Sequence, residues 1–395
     1  MPPAAPRPEP SPAPLPGRRP FGLGRPVSLF TLGTMRALDS QATLAEVLDA
    51  AIAVGINHIE TAPAYGPAET FLGQALAALE QRDPALRQAL VLTTKLLPGR
   101  AEGVGRAEGL QQLRDSLARL GVERLDNLAV HGLNTPEHLA WVLQGAGGEL
   151  LEAAQAEGLV RQVGFSSHGA TDLIAAALES GRFRFCSLHL HLFDPERLPL
   201  ARQALNEGIG VMAISPADKG GRLQAPPALL EGDCAPFAPL ELAYRFLLSA
   251  GISTLTLGAA RPGDLHWAAR LAAADGPLSP AEEEALERLH GAARQRLGAE
   301  RCGQCRACLP CPTEVPIPAL LRLRNLAVGH GLEAFASERY SLIGRAGHWW
   351  ETLDASACAR CGVCLPRCPH GLPIPELLAD THRRLAAPPR RRLWG

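Results

Sequence analysis

The chain has 395 residues, enough for about two or three domains of ordinary size. Hydrophobic residues make up 46% and charged residues 20%, a composition typical of folded domains with a sizeable core. The formal net charge of −1 argues against a nucleic-acid partner. No apolar run approaches the ~18 residues of a membrane span, and no apolar segment follows the N-terminus. We therefore expect a soluble, cytoplasmic protein with no membrane partner.

The chain begins with a segment rich in proline. Nine of the residues in 1–20 are prolines, and apolar periodicity is almost absent there, which predicts a disordered leader. At the other end, residues 386–395 form a basic tail that contains three consecutive arginines, Arg390, Arg391 and Arg392. Solvated charge is the simplest interpretation of that tail.

Residues 21–298 alternate short apolar runs with amphipathic helical stretches. The runs predict eight strands, at residues 28–32, 58–62, 89–96, 125–131, 160–166, 185–191, 211–215 and 253–258. The stretches predict helices that include residues 42–54, 69–79, 110–120 and 171–178. Eight such units favour an α/β fold of the (β/α)8 TIM-barrel type. A doubly wound open sheet is the alternative, although the first strand–helix junction lacks the glycine fingerprint of a dinucleotide-binding turn.

Chemistry in such barrels lies where the strands end at their C-terminal face. The strand ends place four polar residues there, which are Glu60, Tyr65, Lys95 and His131. Lys95 and Tyr65 are the stronger candidates for a functional role, because the chain has only two lysines (Lys95 and Lys219) and three tyrosines. Where charge alone is needed, this chain uses arginine.

The segments around these residues resemble the aldo/keto reductase family. The motif Gly55-Ile-Asn-His-Ile-Glu-Thr-Ala-Pro-Ala-Tyr-Gly66 is similar to its signature, and Thr93-Thr94-Lys95 and Leu128-Ala129-Val130-His131 are similar to its next two motifs. The resemblance covers residues 21–273. It implies a catalytic tetrad made by Glu60, Tyr65, Lys95 and His131, with Glu60 where the family usually has Asp.

The implied chemistry is the reduction of a carbonyl group. Tyr65 would donate the proton that the developing alkoxide needs. An ordinary phenol has a pKa of ~10, which a neighbouring Lys95 ammonium lowers. Glu60 would hold the lysine in place, and His131 would orient the carbonyl oxygen.

The resemblance also implies NADPH as cofactor. The residues it places at the dinucleotide are Gly33, Thr34, Met35, Ser166, Ser167, His189, Ser215, Lys219, Gly258 and Arg261. Two of them depart from the family pattern, since Ser167 replaces Asn and His189 replaces Gln or Asn. Core packing is an equally good interpretation of His189.

Residues 299–385 contain two cysteine clusters and predict a small, mainly α-helical, ferredoxin-like domain. The first cluster is Cys302-x2-Cys305-x2-Cys308-x2-Cys311-Pro312, and the second is Cys358-x2-Cys361-x2-Cys364-x3-Cys368-Pro369. Three closely spaced thiolates followed by Cys-Pro are typical of 4Fe-4S ligation, so two such clusters are predicted. Zinc is the alternative, but four-thiolate zinc sites usually use two separated cysteine pairs. This tail is similar to that of an aldo/keto reductase branch with two C-terminal 4Fe-4S motifs.

The fourth cysteine of each run ligates the other cluster in two-cluster ferredoxins. We therefore expect one cluster on Cys302, Cys305, Cys308 and Cys368, and the other on Cys358, Cys361, Cys364 and Cys311.

The predicted function is NAD(P)H-linked oxidoreduction of a carbonyl or related small molecule. The clusters would serve electron transfer, regulation or structure, with an external carrier such as a ferredoxin as a candidate partner. The alternative is an electron-transfer or interaction protein whose barrel is catalytically weak. No motif identifies the substrate.

Overall fold

Eight parallel strands close into a barrel in a computed structural model, which describes residues 17–99, 103–193, 195–217, 222–347 and 350–388. The first barrel strand pairs with the second and with the last, so the barrel is closed. After a two-stranded hairpin of β1 (Arg18–Arg19) and β2 (Val27–Ser28), the barrel strands are β3 (Phe30–Gly33), β4 (His58–Glu60), β5 (Val91–Leu96), β6 (Leu125–Val130), β7 (Val160–Ser167), β8 (Phe185–His189), β9 (Gly210–Ile214) and β10 (Thr254–Gly258). The predicted (β/α)8 architecture is confirmed, and the open sheet is excluded.

Helices surround the barrel and connect successive strands. They are α1 (Gln41–Ala53), α2 (Ala68–Arg82), α3 (Pro84–Ala89), α4 (Arg106–Leu120), α5 (Pro136–Gln144), α6 (Ala146–Ala156), α7 (Thr171–Glu179), α8 (Leu198–Asn206), α9 (Ala228–Cys234), α10 (Pro239–Ser249), α11 (His266–Arg270) and α12 (Pro280–Leu297). Local signals set several of their ends. Ser40 caps α1 by accepting a hydrogen bond from the Thr43 N–H, and Gly121 ends α4 in the left-handed conformation.

The hairpin closes the N-terminal end of the barrel. Phe21 in its turn is buried, with its ring centroid 5.2 Å from that of His58 and 5.1 Å from that of Phe185. Arg19 donates hydrogen bonds to three backbone carbonyl oxygens, including that of Ile252 at 2.6 Å. Residues 17–20 of the expected leader are therefore ordered parts of this closure, whereas residues 1–16 lie outside the described residues. The hairpin thus covers the N-terminal end of the barrel with a buried aromatic ring.

A buried histidine organises the centre of the barrel. The two ring nitrogens of His58 lie 2.7 Å from the hydroxyls of Thr31 and Thr93, on the neighbouring strands β3 and β5. Burial lowers the pKa of His58 to about 3, so the ring is neutral and can donate to one hydroxyl while it accepts from the other. Polar bonding and strand pairing thus fix the same register.

A helical domain follows α12 and packs against the barrel through it. Its helices are α13 (Ile317–His330), α14 (Glu333–Tyr340) and α15 (Ile374–Leu385). Arg296 of α12 binds both carboxylate oxygens of Asp233 on α9 and donates to the carbonyl oxygen of Gly329 on α13, which joins the three helices. Among the described helices, none has the length and apolar character needed to cross a membrane. The basic-tail residues 389–395 lie outside the described part of the chain.

Candidate active site and cysteine clusters

A cavity of about 860 Å³ opens at the C-terminal end of the barrel. Its wall includes all four residues of the expected tetrad. Glu60 ends β4, Tyr65 precedes α2, Lys95 lies near the end of β5, and His131 follows β6. Parallel strands bring their C-terminal ends to one rim, so residues that are distant in sequence meet there.

The Lys95 ammonium lies at the centre of this group. Its Nζ donates a hydrogen bond to the Tyr65 hydroxyl at 2.8 Å and another to the Thr61 carbonyl oxygen at 3.1 Å. The Glu60 carboxylate is in direct contact with the same ammonium, and both side chains are buried. The longer glutamate therefore reaches the lysine, although the family pattern has aspartate at this position.

Two features of the Lys95 environment act in opposite directions on its charge. Burial lowers the pKa of Lys95 well below its usual value. The adjoining Glu60 carboxylate favours the charged form, since opposite charges at contact stabilise each other. The His131 ring lies edge-on to the Tyr65 ring, with centroids 5.8 Å apart and planes at 88°. Acid, cation and imidazole thus meet in one pocket.

Half of the expected dinucleotide residues line the same cavity: Gly33, Met35, Ser166, Ser215 and Gly258. Ser215 adopts a φ of 56°, a conformation that is strained for a residue with a side chain and is often found at functional sites. The Ser166 hydroxyl accepts a hydrogen bond from the Gly132 N–H at 2.9 Å.

The other expected dinucleotide residues lie elsewhere. The hydroxyl of Thr34 bonds to that of Thr61 at 2.9 Å, and the Ser167 hydroxyl donates to the Leu133 carbonyl oxygen at 2.7 Å. His189 is buried beside the His191 ring. Arg261 is exposed beyond β10, and Lys219 falls outside the described residues.

Several cavity residues could not be recognised from the sequence motifs. Thr256 on β10 has a buried hydroxyl with no hydrogen-bond partner among the described residues. Arg36 lies across Gly258, because a Cβ added to that glycine would come within 3.0 Å of the arginine Cδ. Arg339 and Trp350, from the C-terminal domain, also form part of the wall. Of these residues, only Arg36 could be suspected from the sequence, because it follows closely after a predicted barrel strand.

The eight clustered cysteines form two sets, each drawn from both runs. Set I is Cys302, Cys305, Cys308 and Cys368, which line one small cavity. Burial raises the pKa of Cys302, and the charges of the nearby Cys305 and Cys368 raise it further.

Set II is Cys358, Cys361, Cys364 and Cys311. Burial raises the pKa of Cys364, with Cys358, Cys361 and Cys311 as further contributors. Cys311 is thus a neighbour of the second run, as the crossed arrangement requires. The pKa of Cys308 rises to about 11, through burial first and then through neighbours that include Cys364, so the two sets are adjacent.

The loops of both runs have the same conformation. Residues with positive φ flank the second cysteine in each run: Gln304 and Arg306 around Cys305, and Arg360 and Gly362 around Cys361. Three of these four are not glycine, and such strain is retained where the surrounding structure requires a tight bend. These bends curl each loop around its thiols, a shape that fits a polynuclear cluster.

An internal repeat extends this similarity beyond the cysteines. Each Cys-Pro pair is followed by a Pro-Ile-Pro segment, at residues 316–318 and 373–375, where α13 and α15 begin. The isoleucine N–H bonds to the carbonyl oxygen two residues earlier at 2.8 Å in both copies. The repeat is visible in the sequence as a Pro-Ile-Pro segment that begins five residues after each fourth cysteine. The extra residue of the second run, Arg367, donates a hydrogen bond to the Pro310 carbonyl oxygen of the first at 2.9 Å.

Comparison with known proteins agrees with both halves of this structure. Residues 30–225 match the model of the aldo/keto reductase family, and residues 301–372 match that of a 4Fe-4S dicluster domain. The second match supports iron–sulfur over zinc. The chain is 33% identical over 202 residues to a 6-dehydroglucose reductase of Novosphingobium aromaticivorans, an alignment that covers 47% of this chain and 62% of that protein. It is 27% identical over 219 residues to the aldo-keto reductase AKR2E4 of Bombyx mori, covering 52% of this chain and 68% of that one.

Solved structures show the same barrel. The holo form of the aldo-keto reductase AKR11C1 from Bacillus halodurans superposes with a TM-score of 0.56 at 22% identity, covering 69% of this chain and 95% of that one. The chain thus has the TIM-barrel fold of these reductases. More particularly, it carries an aldo/keto reductase domain followed by a 4Fe-4S dicluster domain.

Crossed ligation predicts which cluster each cysteine variant damages. Cys311→Ser should remove a ligand from the cluster on Cys358, Cys361 and Cys364, whereas Cys368→Ser should damage the other cluster. Iron and sulfide counting, with EPR of the reduced anaerobic proteins, measures both losses. If Cys311→Ser instead removed the signal that the Cys305→Ser variant also loses, each run would hold its own cluster.

Proposed function

We propose that this protein reduces a carbonyl group of a small molecule with NADPH. The observation that carries this proposal is the hydrogen bond of 2.8 Å from the buried Lys95 ammonium to the Tyr65 hydroxyl, inside a cavity that can admit a ligand. A phenol bonded in this way can release its proton at lower cost, because the ammonium stabilises the phenolate that remains. The reductases among its relatives support the same reaction class.

In this proposal, NADPH supplies the hydride to the carbonyl carbon when it is bound. Tyr65 transfers its hydroxyl proton to the carbonyl oxygen, which leaves an alcohol and a phenolate. Lys95 stabilises that phenolate, and Glu60 keeps the lysine charged and in position. His131, edge-on to the tyrosine, holds the carbonyl oxygen toward the acid.

The cavity has features that fit a dinucleotide. Gly33 and Gly258 line it together with Thr256, whose hydroxyl lacks a hydrogen-bond partner among the described residues. Arg36, lying across Gly258, adds a cation that can bind phosphate oxygens. We assign these residues to the cofactor, with Ser215 at the turn after β9.

Removing the Tyr65 hydroxyl should abolish carbonyl reduction. We expect Tyr65→Phe to lower kcat at least about 100-fold, the usual contribution of a general acid, with NADPH affinity changed less than about twofold. Anaerobic NADPH oxidation with an aldehyde panel measures the first quantity, and fluorescence titration the second. Tyr340→Phe is the matched control, since it removes a phenol hydroxyl outside the cavity.

Lys95→Arg should be nearly as inactive as the phenylalanine variant. A guanidinium is broader than an ammonium and does not fit between the Tyr65 hydroxyl and the Thr61 carbonyl oxygen. Near-normal turnover of Tyr65→Phe would show that Tyr65 is not the acid, and near-normal turnover of Lys95→Arg would show that the site does not require a compact ammonium. Failure of the intact wild type to bind NADPH would favour the second function described below.

The pH profile should report the ion pair of Glu60 and Lys95. In Glu60→Gln the carboxylate no longer offsets the lowering of the Lys95 pKa by burial. The ammonium then exists only at lower pH, so activity should be lost about one pH unit or more earlier as the pH rises. Glu60→Asp retains the charge and should keep the basic limb of the kcat profile near that of the wild type. Coincident profiles for all three proteins would refute this role of Glu60.

One observation favours a second function, electron transfer with an external carrier. Residues 301–313 and 355–375 contain four arginines and no aspartate or glutamate. The second cysteine of each run, Cys305 and Cys361, is exposed, and Leu365 of the second run is 41% exposed. A basic face with an exposed apolar residue is complementary to a carrier with an acidic surface. Arg306 alone of the four is paired to a carboxylate, that of Glu196 at 3.5 Å, among the described residues.

Charge should control electron entry through this face. We expect reduction of the clusters by a reduced acidic ferredoxin to slow with ionic strength, and Arg360→Glu to slow it at least about threefold at low salt. Stopped-flow absorbance at the cluster bands measures the rate. Arg114→Glu, the same change on α4, should leave the rate unaltered, and dithionite should reduce all three proteins alike. Equal rates for both variants with ferredoxin would contradict docking at this face.

A further inference from the structure

The cavity of the barrel has a wall supplied by the C-terminal domain. Arg339 near the end of α14, with Leu342, Ala346 and Trp350 beyond it, lines the same space as Tyr65 and Lys95. The barrel alone would leave this side open. The domain that carries the cysteine clusters thus also shapes the place where a substrate would lie.

The charged residues of this cavity are unbalanced. Its described lining includes two guanidinium groups, those of Arg36 and Arg339, together with Lys95 and a single carboxylate, Glu60. That carboxylate is in contact with Lys95. The excess of positive charge favours an anionic ligand. Arg36 lies over the strand end assigned above to the dinucleotide, which leaves Arg339 on the substrate side.

Arg339 is positioned to bind a planar anion. Its guanidinium carbon lies 5.2 Å from the ring centroid of Phe335, one turn earlier on α14, so an aromatic ring supports the group. A guanidinium carries five N–H donors and can bind a carboxylate through two of them while it keeps other contacts. The neighbouring Leu342, Ala346 and Trp350 offer apolar surface, which suits the organic body of a substrate better than a pyrophosphate.

We propose that Arg339 binds a carboxylate of the substrate, so that the substrates of this protein are carbonyl compounds that also carry a carboxylate group. Trp350 and its apolar neighbours contact the part of the molecule between the two groups. The inference rests on the proposed function, because it names the substrate class of that same cavity.

A pair of aldehydes that differ in one charge tests this. We expect kcat/KM for 4-carboxybenzaldehyde to exceed that for methyl 4-formylbenzoate at least about tenfold in the wild type. Arg339→Met should remove this preference through a higher KM for the acid, with kcat/KM for the ester changed less than about twofold. Arg339→Lys should retain part of the preference, since the charge stays and the two-point geometry is lost.

Arg345→Met is the matched control. It removes the same charge from the same part of the chain, at an exposed position outside the described cavity lining, and should keep the preference for the acid. Iron content and cluster absorbance equal to those of the wild type will show that each variant is folded. Equal use of acid and ester by the wild type, or the same behaviour of Arg339→Met and Arg345→Met, would overturn the proposal.

Binding separates this inference from the proposed reaction. Terephthalate has no aldehyde to reduce, and calorimetry can follow its binding without turnover. If no aldehyde is reduced but Arg339→Met alone abolishes terephthalate binding, the anion site stands and the proposed reductase function fails. If the wild type reduces aldehydes but binds terephthalate no better than Arg339→Met does, the reaction stands and the anion site fails. Absence of both turnover and binding would remove both.

Discussion

The buried ammonium of Lys95 is the constraint on which the candidate active site depends. A charge removed from water is costly unless other groups replace its solvation, and here a carboxylate, a phenol hydroxyl and a backbone carbonyl oxygen do so. These groups come from β4 and from the chain after it, whereas Lys95 lies on β5, so the ion pair also holds neighbouring strand ends together. The cavity must remain dry enough for this pairing and open enough to admit a ligand. The Phe21 hairpin covers the opposite end of the barrel, and the cavity opens at the end where Lys95 lies.

Much of the barrel could be predicted from the sequence. Strands buried on both faces give nearly continuous apolar runs, and all eight runs coincide with barrel strands to within a few residues. The predicted first strand begins too early, since Ser28 pairs with Arg18 in the hairpin and the barrel strand starts at Phe30. The hairpin itself was not foreseen, because its two arginines look like solvated charge. Only the structure shows that Arg19 binds the carbonyl oxygens at the barrel floor.

The candidate site divides in the same way. Tyr65 and Lys95 follow from motifs at strand ends, since a parallel barrel must bring those ends together. Arg339 and Trp350 carry no such local signal. Their place depends on how α12 and α13 pack, which is decided by long-range contacts such as that of Arg296 with the Gly329 carbonyl oxygen. For the cysteine runs, the Pro-Ile-Pro segments indicate an internal repeat that the cysteine spacing alone does not show.

The connection between the two domains has a mechanical consequence. Helix α13 begins six residues after Cys311, and α14, which carries Arg339, begins three residues after α13 ends. The connections between the cysteine loops and the cavity wall are short. A change in the conformation of a cysteine loop would therefore displace α13 and then α14. If Arg339 selects the substrate as proposed, the selectivity of the barrel would depend on intact clusters and therefore on the supply of iron and the exposure to oxygen. A preparation that has lost its metal would keep an intact barrel while its substrate preference broadened.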